Sequence, residues 1–198
     1  MKKTVAVILL HFFFMVFIIS ISLAASTAYR ETISHPYPLP LTNSTPTVSV
    51  GETAPDFSLP SISGARVTLS QFRGSKNVVL SFVPAAWTPI CSDQWPGYGI
   101  IQDIFIQNNA TLIGISVDNI PTLHAWTKQM GSIWFLVCAD FYPHGKVAGE
   151  YGVLRPDGMA ERAIFVIDKE GRMRFARVYD INTRPPLEDI VAVLQAIR

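Results

Sequence analysis

After residue 50, mostly apolar runs typical of buried strands alternate with segments typical of helices. Three apolar runs have the length and composition of strands buried on both faces, namely NVVLSFV (77–83), TLIGISVD (111–118) and IWFLVCAD (133–140). Residues 91–107 are compatible with a helix, and residues 121–130 have a helical period with Pro121 in the first turn. The pattern therefore predicts buried strands that alternate with helices.

The two ends of this region carry hairpin and helix signals. FSLP and RVTLS flank a turn at Ser63-Gly64, and AIFVID (163–168) turns through residues 169–171 into RMRFARVYD. GKVAGEYG (145–152) predicts a short helix ended by Gly152. The final PLEDIVAVLQAIR predicts an amphipathic helix whose apolar stripe faces a core and consists of Leu187, Ile190, Val191, Val193, Leu194 and Ile197.

Strands alternating with helices, closed by a hairpin and a helix, indicate the α/β class. The order is that of the thioredoxin-like fold, a mixed central sheet flanked by helices, here with an extra N-terminal hairpin. We expect this domain to span residues 50–198, since a single core usually takes about 100 to 200 residues.

The N-terminus, residues 1–25, has the pattern of an export signal: two lysines, an apolar run and small residues. The run from Val5 to Ala25 exceeds the roughly 7 to 15 apolar residues of a simple signal core and is about long enough to span a bilayer. A cleaved leader, cut near Ser22-Leu23-Ala24, and a retained membrane anchor are both open. Either one predicts an exported domain that is periplasmic or otherwise extracytoplasmic, free or held in the inner or plasma membrane.

Residues 26–49 are rich in Pro, Ser and Thr, a composition typical of an extended, poorly packing segment. It predicts either a spacer or a disordered N-terminus of the mature protein. The whole chain has 16 Lys+Arg against 15 Asp+Glu, and two of the lysines precede the apolar run. A nearly neutral domain argues against a nucleic-acid partner.

Cys91 lies in PAAWTPICSDQ, after a predicted buried strand and at the start of a predicted helix. Unpaired N–H groups and the helix dipole favour a thiolate in this position. The alternatives are an inert core thiol for Cys91, a helix N-cap for Thr88 and an exposed charge for Arg162. His35, His124 and His144 show no metal-ligand spacing with Cys91, so we expect no metal or cofactor.

Pro84, Thr88 and Cys91 form P-x-x-x-T-x-x-C, which resembles the active-site motif of the peroxiredoxins, the alkyl hydroperoxide reductase and thiol-specific antioxidant family. The resemblance covers roughly residues 48–198. It implies a thiol-dependent peroxidase that reduces hydrogen peroxide or organic hydroperoxides and leaves Cys91 as a sulfenic acid. It further implies that the Thr88 hydroxyl bonds the sulfur and the peroxide, that Pro84 shields the thiolate, and that Arg162 completes the site.

Trp87 and Gln94 are expected to support this site. The one-cysteine and bacterioferritin-comigratory-type groups, which ADFYPHGKVAGEYGV also resembles, often have Glu three residues after the cysteine, where this chain has Gln94. A hydrogen bond from Gln94 to the site arginine is then expected, and a salt bridge is not. Family members are commonly homodimers, which the resemblance implies here too.

The resolving thiol is less well defined by the sequence. Two-cysteine relatives often carry it five positions after the first cysteine, where this chain has Pro96. Cys138 lies in a predicted buried strand separated from the Cys91 strand by TLIGISV, too far for a disulfide without local unfolding. We therefore favour a one-cysteine mechanism with an external thiol or thioredoxin-like reductant. Cys138 as core and Cys138 as resolving thiol both stay open.

Two other functions fit the same fold. AAWTPIC differs by one residue from AAWCPIC, which resembles exported thioredoxin-like thiol–disulfide oxidoreductases. Thr88 stands at their first cysteine, Arg162 stands where they carry a proline, and one cysteine does not perform dithiol exchange. A non-catalytic redox sensor, oxidised at Cys91 without turnover, is the other alternative.

Overall fold

The structure is a computed structural model that describes residues 27, 29–34, 39–41, 44–131 and 133–197. Its contacts divide the chain into two units, Met1–Ser34 and His35–Arg198. The first contains a helical stretch at residues 29–32. No helix in the described part of the chain is long and apolar enough to cross a membrane. The run at residues 5–25, predicted as an export signal or anchor, lies outside the described residues.

The described residues of the second unit form seven strands and five α-helices. The strands are β1 (Ser58–Pro60), β2 (Arg66–Thr68), β3 (Asn77–Phe82), β4 (Ala110–Ser116), β5 (Leu136–Ala139), β6 (Ala163–Ile167) and β7 (Met173–Val178). The helices are α1 (Pro89–Gly97), α2 (Gln102–Gln107), α3 (Ile120–Gln129), α4 (Lys146–Glu150) and α5 (Leu187–Ala196), with 3₁₀ turns at Leu69–Phe72 and Tyr98–Ile101.

The central sheet has the order β5-β4-β3-β6-β7, and β1 and β2 form a separate antiparallel hairpin. Strand β3 pairs in parallel with β4 and antiparallel with β6, so the sheet is mixed. The predicted thioredoxin-like fold with an extra N-terminal hairpin is confirmed, as is the placement of β4 between the Cys91 strand and the Cys138 strand.

Each face of the sheet packs against a different core. Successive strand residues point to opposite faces, and their side chains accordingly divide between two buried clusters. Strand residues Val78, Leu80, Ile113 and Phe165 pack with the β1–β2 hairpin and α4. Strand residues Val79, Leu112, Val137 and Ile164 pack with α1, α2, α3 and α5. The site described below lies in this second cluster.

Two predicted elements differ from the observed ones. The helix predicted over residues 91–107 is interrupted by the 3₁₀ turn after α1, because Pro96 within α1 has no N–H to donate and glycines follow it. The strand predicted over residues 133–140 begins only at Leu136. Trp134 and Phe135 are in contact with each other and pack in the same aromatic cluster, whereas neighbouring side chains of a strand point to opposite faces.

Gly114 in β4 leaves the space that Trp95 of α1 occupies. A Cβ added at Gly114 would lie 2.7 Å from Trp95 Cζ2 and 3.1 Å from Phe135. We expect Gly114→Ala to lower the free energy of unfolding by about 1–3 kcal/mol through overpacking, measured by urea denaturation. Gly99→Ala is the matched control, since a Cβ there has no heavy atom within 4 Å. Equal stability of the two variants would contradict this packing.

Candidate active site

The loop between β3 and α1 places Cys91 at a helix N-terminus. Strand β3 ends at Phe82, Pro84 is buried, and Thr88 is the N-cap residue of α1. Cys91 is the third residue of the helix, so its N–H belongs to the first turn, whose N–H groups have no acceptor within the helix. The Cys91 side chain is fully buried.

Arg162 reaches the same point from the neighbouring strand. It directly precedes β6, and pairing of Phe82 with Ala163 brings the end of β3 beside the start of β6. The guanidinium Nη1 and Nη2 atoms lie 3.6 and 3.5 Å from Cys91 Sγ. Arg162 is only 2% exposed, so the structure excludes an exposed surface charge at this position.

The guanidinium is oriented by two further acceptors. Its Nε and Nη2 atoms donate to the Ile181 carbonyl oxygen at 3.1 and 2.8 Å. Its Nη1 atom also donates to Gln94 Oε1. The expected hydrogen bond between Gln94 and the site arginine is therefore present.

Two buried hydroxyl groups fix the Gln94 amide. Gln94 Nε2 donates to Ser81 Oγ at 3.1 Å and to Tyr98 OH at 2.8 Å, and those two hydroxyls lie 2.9 Å apart. Burial raises the pKa of Tyr98, so its hydroxyl stays protonated. With the NH₂ group directed to the hydroxyls, the Gln94 oxygen is the atom that faces Arg162.

Arg162 carries a buried charge, and no carboxylate of the described residues lies beside it. Within residues 44–131 and 133–197 the ion pairs are made by other basic residues, and Arg162 contacts two neutral oxygens and the Cys91 sulfur. A buried charge is costly unless it is paired. The Cys91 sulfur is the remaining group that contacts the Arg162 guanidinium in the described part of the chain.

The Thr88 hydroxyl donates to the Ala85 carbonyl oxygen at 2.9 Å rather than to the Cys91 sulfur. Thr88 also makes no side-chain capping bond to α1, although it occupies the N-cap position. A second bond holds the loop, because the Ala86 N–H donates to Asp118 Oδ2 at 2.8 Å. Asp118, just after β4, thus fixes the loop that carries Thr88.

Trp87 lies between these two bonds with a φ of 63°. This left-handed conformation costs about 1–2 kcal/mol for a residue with a Cβ. The side chain is half-buried and packs against the core cluster that contains Cys91. Trp87, which was expected to support the site, therefore has a strained backbone conformation that is maintained by packing and by the hydrogen bonds on either side.

Sequence reasoning did not identify Ser81, Tyr98, Asp118 or Ile181. Tyr98 lies four residues after Gln94, a spacing that places two side chains on one face of a helix. Asp118 is the last residue of a predicted buried strand, at the end of the sheet where the loops begin. Ser81 and Ile181 had no signal in the sequence, since their contacts depend on strand register and on one backbone carbonyl.

Cys138 lies in β5 on the opposite face of the sheet from Cys91. It pairs with Ile115 and belongs to the other core cluster. Both cysteines are free thiols. Burial raises the pKa of Cys138 to about 12, so this thiol is protonated at physiological pH.

We expect Cys138 to resist alkylation in the folded protein. At pH 8, four pH units below its pKa of about 12, Cys138 is overwhelmingly the thiol, and the thiol is not the nucleophile. Intact-mass analysis of Cys91→Ser protein with iodoacetamide should show no adduct without denaturant and one adduct in denaturant. Rapid native modification would mean that β5 opens readily.

A thioredoxin-like fold that holds a buried cysteine sulfur at a helix N-terminus, against a buried arginine, defines a protein of the peroxiredoxin class. Residues 50–176 match the model of the AhpC/TSA family. The chain belongs to the AhpC/TSA family, and it is a thiol-dependent peroxidase.

Known proteins agree with this assignment. The chain is 39% identical over 132 residues to alkyl hydroperoxide reductase E of Mycobacterium tuberculosis, covering 66% of this chain and 86% of that protein. It resembles the crystal structure of the reduced Plasmodium vivax 2-Cys peroxiredoxin with a TM-score of 0.70 and 28% identity, covering 75% and 81% of the two chains. It resembles peroxidoxin BcpB from Mycobacterium tuberculosis with a TM-score of 0.67 and 27% identity, covering 76% and 99%.

Proposed function

We propose that this chain reduces hydroperoxides by a one-cysteine mechanism in which Cys91 is the peroxidatic residue. The observation that carries the proposal is the buried Arg162 guanidinium, 3.5 Å from Cys91 Sγ and without a carboxylate partner in the described part of the chain. Such a charge stabilises a thiolate before reaction and the departing oxygen during it.

The Cys91 thiolate attacks one oxygen of the hydroperoxide. An S–O bond forms as the O–O bond breaks, so the sulfur is oxidised to a sulfenic acid and the peroxide is reduced. The departing oxygen leaves as hydroxide or alkoxide and takes a proton from solvent, giving water or an alcohol. Arg162 and the N–H groups of the first turn of α1 donate to the charge on that oxygen.

Thr88 and Pro84 complete the peroxide pocket in this proposal. Rotation of the Thr88 hydroxyl away from Ala85, to which it donates at 2.9 Å, would make its proton available to the substrate. Buried Pro84 helps to keep water from the thiolate. Because Cys91 is fully buried, the side chains around it must move apart for a peroxide to enter.

Recycling of the sulfenic acid is assigned to an external thiol, either a small dithiol or a thioredoxin-like protein. Two features support this choice: Pro96 occupies the position of a nearby resolving cysteine, and Cys138 is on the far face of the sheet. A disulfide needs Cα atoms about 4.4–6.8 Å apart, and a central sheet separates the two thiols.

The N-terminal pattern and the family resemblance supply the setting. The two lysines and the apolar run of residues 5–25 favour export, with the domain periplasmic or otherwise extracytoplasmic and either released or anchored. The resemblance to the family favours a homodimer, the commonest closed assembly.

Intact mass after one equivalent of hydrogen peroxide tests the mechanism. We expect one added oxygen on Cys91, trapped by dimedone, and regeneration with continued turnover when dithiothreitol is supplied. Loss of two hydrogens, with Cys91 linked to Cys138, would replace the one-cysteine mechanism by an intramolecular one. Oxidation of Cys91 without turnover would indicate a redox sensor instead of a peroxidase.

A further inference from the structure

The segment before the domain contacts the parts of the chain that hold Arg162. We call residues 39–41 and 44–48 the strap. The Leu39 N–H donates to Asn182 Oδ1 at 3.1 Å, and Asn182 Nδ2 donates back to the Leu39 carbonyl oxygen at 3.0 Å. One side-chain amide thus satisfies both backbone groups of a strap residue, as a neighbouring strand would.

Asn182 is the residue next to the carbonyl that orients Arg162. The Ile181 oxygen accepts from Arg162 Nε at 3.1 Å and from Nη2 at 2.8 Å. The same Nη2 lies 3.5 Å from Cys91 Sγ. A displacement of the turn that carries Ile181 therefore changes the direction in which the guanidinium faces the sulfur.

The strap also contacts the chain just before Arg162. Ser44 Oγ donates to Glu161 Oε1 at 2.7 Å, and Arg155 Nη2 donates to the Pro40 carbonyl oxygen at 3.1 Å. Arg155 and Glu161 are both buried and form an ion pair at 3.2 Å. Removing strap contacts from this buried pair would leave polar atoms short of partners.

The turn is also held from the side of the core, because the Tyr179 N–H donates to the Arg162 carbonyl oxygen at 2.8 Å and Ile181 and Pro185 are buried. It follows β7 and precedes α5 without belonging to either, and Asn182 itself is exposed. A second fastening, the Arg184–Asp93 ion pair at 3.0 Å, is solvent-exposed at both ends, a class of contact that contributes little. The strap bonds are the contacts that hold Asn182, the exposed residue beside the Ile181 carbonyl, from outside the turn.

We propose that the strap is a positioning element of the peroxidase site: through Asn182 it holds the Ile181 carbonyl, and hence the Arg162 guanidinium, against Cys91. Leu39, Ile181 and Asn182 all lie outside residues 50–176, the part of the chain that matches the family. The inference rests on the role proposed above for Arg162 and adds a residue, Asn182, and a segment that the matched region does not contain.

The test compares full-length Asn182→Ala, Leu39→Pro and Leu39→Ala proteins. Leu39→Pro removes the donor N–H, whereas Leu39→Ala keeps both backbone groups and is the matched control. We expect Asn182→Ala and Leu39→Pro to slow oxidation by hydrogen peroxide about tenfold, the scale on which small misplacements of a catalytic group act. Leu39→Ala should stay within twofold of the unmodified chain.

A second rate separates positioning from loosening. Iodoacetamide needs only the thiolate and makes no use of directed guanidinium bonds, so its rate with Cys91, taken on the high-pH plateau of each variant's rate profile, should remain within twofold in all three variants. The double variant Leu39→Pro/Asn182→Ala should be no slower with peroxide than either single one, because both changes remove the same contact. Asn182→Asp, which keeps the acceptor alone, should be intermediate.

The inference is overturned if Asn182→Ala and Leu39→Pro oxidise at the normal rate, or if their peroxide loss comes with faster alkylation, which would indicate a general opening of the site. Arg162→Met is measured alongside. If it too reacts normally with peroxide, the proposed role of Arg162 is what fails. If Arg162→Met reacts slowly with peroxide while Asn182→Ala reacts at the normal rate, only the proposed role of the strap fails.

Discussion

Cys91→Ser is expected to abolish peroxide reduction. A serine hydroxyl is not ionised at neutral pH, and loss of a covalent nucleophile costs at least about 10³-fold in rate. The measurement is hydroperoxide consumption with dithiothreitol in excess. The fold should tolerate the change, since the new side chain is nearly the same size and Arg162 still has the Ile181 and Gln94 oxygens as acceptors.

Cys138→Ala is the matched control for this variant. It removes the other buried thiol from the opposite core, so it should lower stability by about 1 kcal/mol and leave the peroxidase rate within twofold. Full activity in Cys91→Ser would dismiss Cys91 as the nucleophile. Loss of activity in a folded Cys138→Ala protein would make Cys138 a participant in turnover.

Arg162→Met is expected to slow the reaction of Cys91 with hydrogen peroxide by about 10²–10³-fold, the usual cost of removing a preorganised donor from a developing negative charge. Stopped-flow tryptophan fluorescence can follow the reaction, because Trp95 and Trp126, with ring centroids 4.7 Å apart, lie in the core that contains Cys91. Arg162→Lys should recover only part of the rate, since lysine keeps the charge but not the planar fork.

Stability should change far less than rate in Arg162→Met. Removing a desolvated charge is favourable, whereas leaving the Ile181 and Gln94 oxygens without donors costs about 1–3 kcal/mol. The two effects oppose each other. Arg66→Met, which removes an exposed arginine that bonds Ser58 within the hairpin, should leave the rate unchanged. A parallel loss of rate and stability in Arg162→Met would mean that Arg162 acts on folding.

The local pattern predicted most of the fold because buried strands leave a clear signature. Every residue of β3 and β6 is buried, so β6 appears as an unbroken apolar run and β3 as a mostly apolar one. The break after α1 was harder to predict. Pro96 lies on the exposed side of α1, and the buried residues before it keep the helical pattern. Trp134 and Phe135 belong to an apolar run, but both side chains pack in the same cluster and do not alternate between the two faces of a strand.

The site was predictable where its chemistry lies in short motifs. Cys91, Thr88 and Gln94 share one segment, and Arg162, just before a strand, was assigned through the family resemblance. The second layer around them was not predictable. The Ile181 carbonyl is a backbone atom with no side-chain signal, and the strap contact at Leu39 arises in a proline-rich segment whose composition favours an extended chain and specifies no partner.

The position of Cys138 bears on how easily peroxide inactivates the enzyme by over-oxidation. In the proposed one-cysteine mechanism, with Cys138 across the sheet from Cys91, a sulfenic acid at Cys91 would meet no second cysteine of its chain and would need an outside reductant. A second peroxide that arrives first converts it to the sulfinic acid, which ordinary thiols do not reverse. In that mechanism, the number of turnovers before inactivation depends on the rate of reduction of the sulfenic acid relative to the rate of its further oxidation by peroxide.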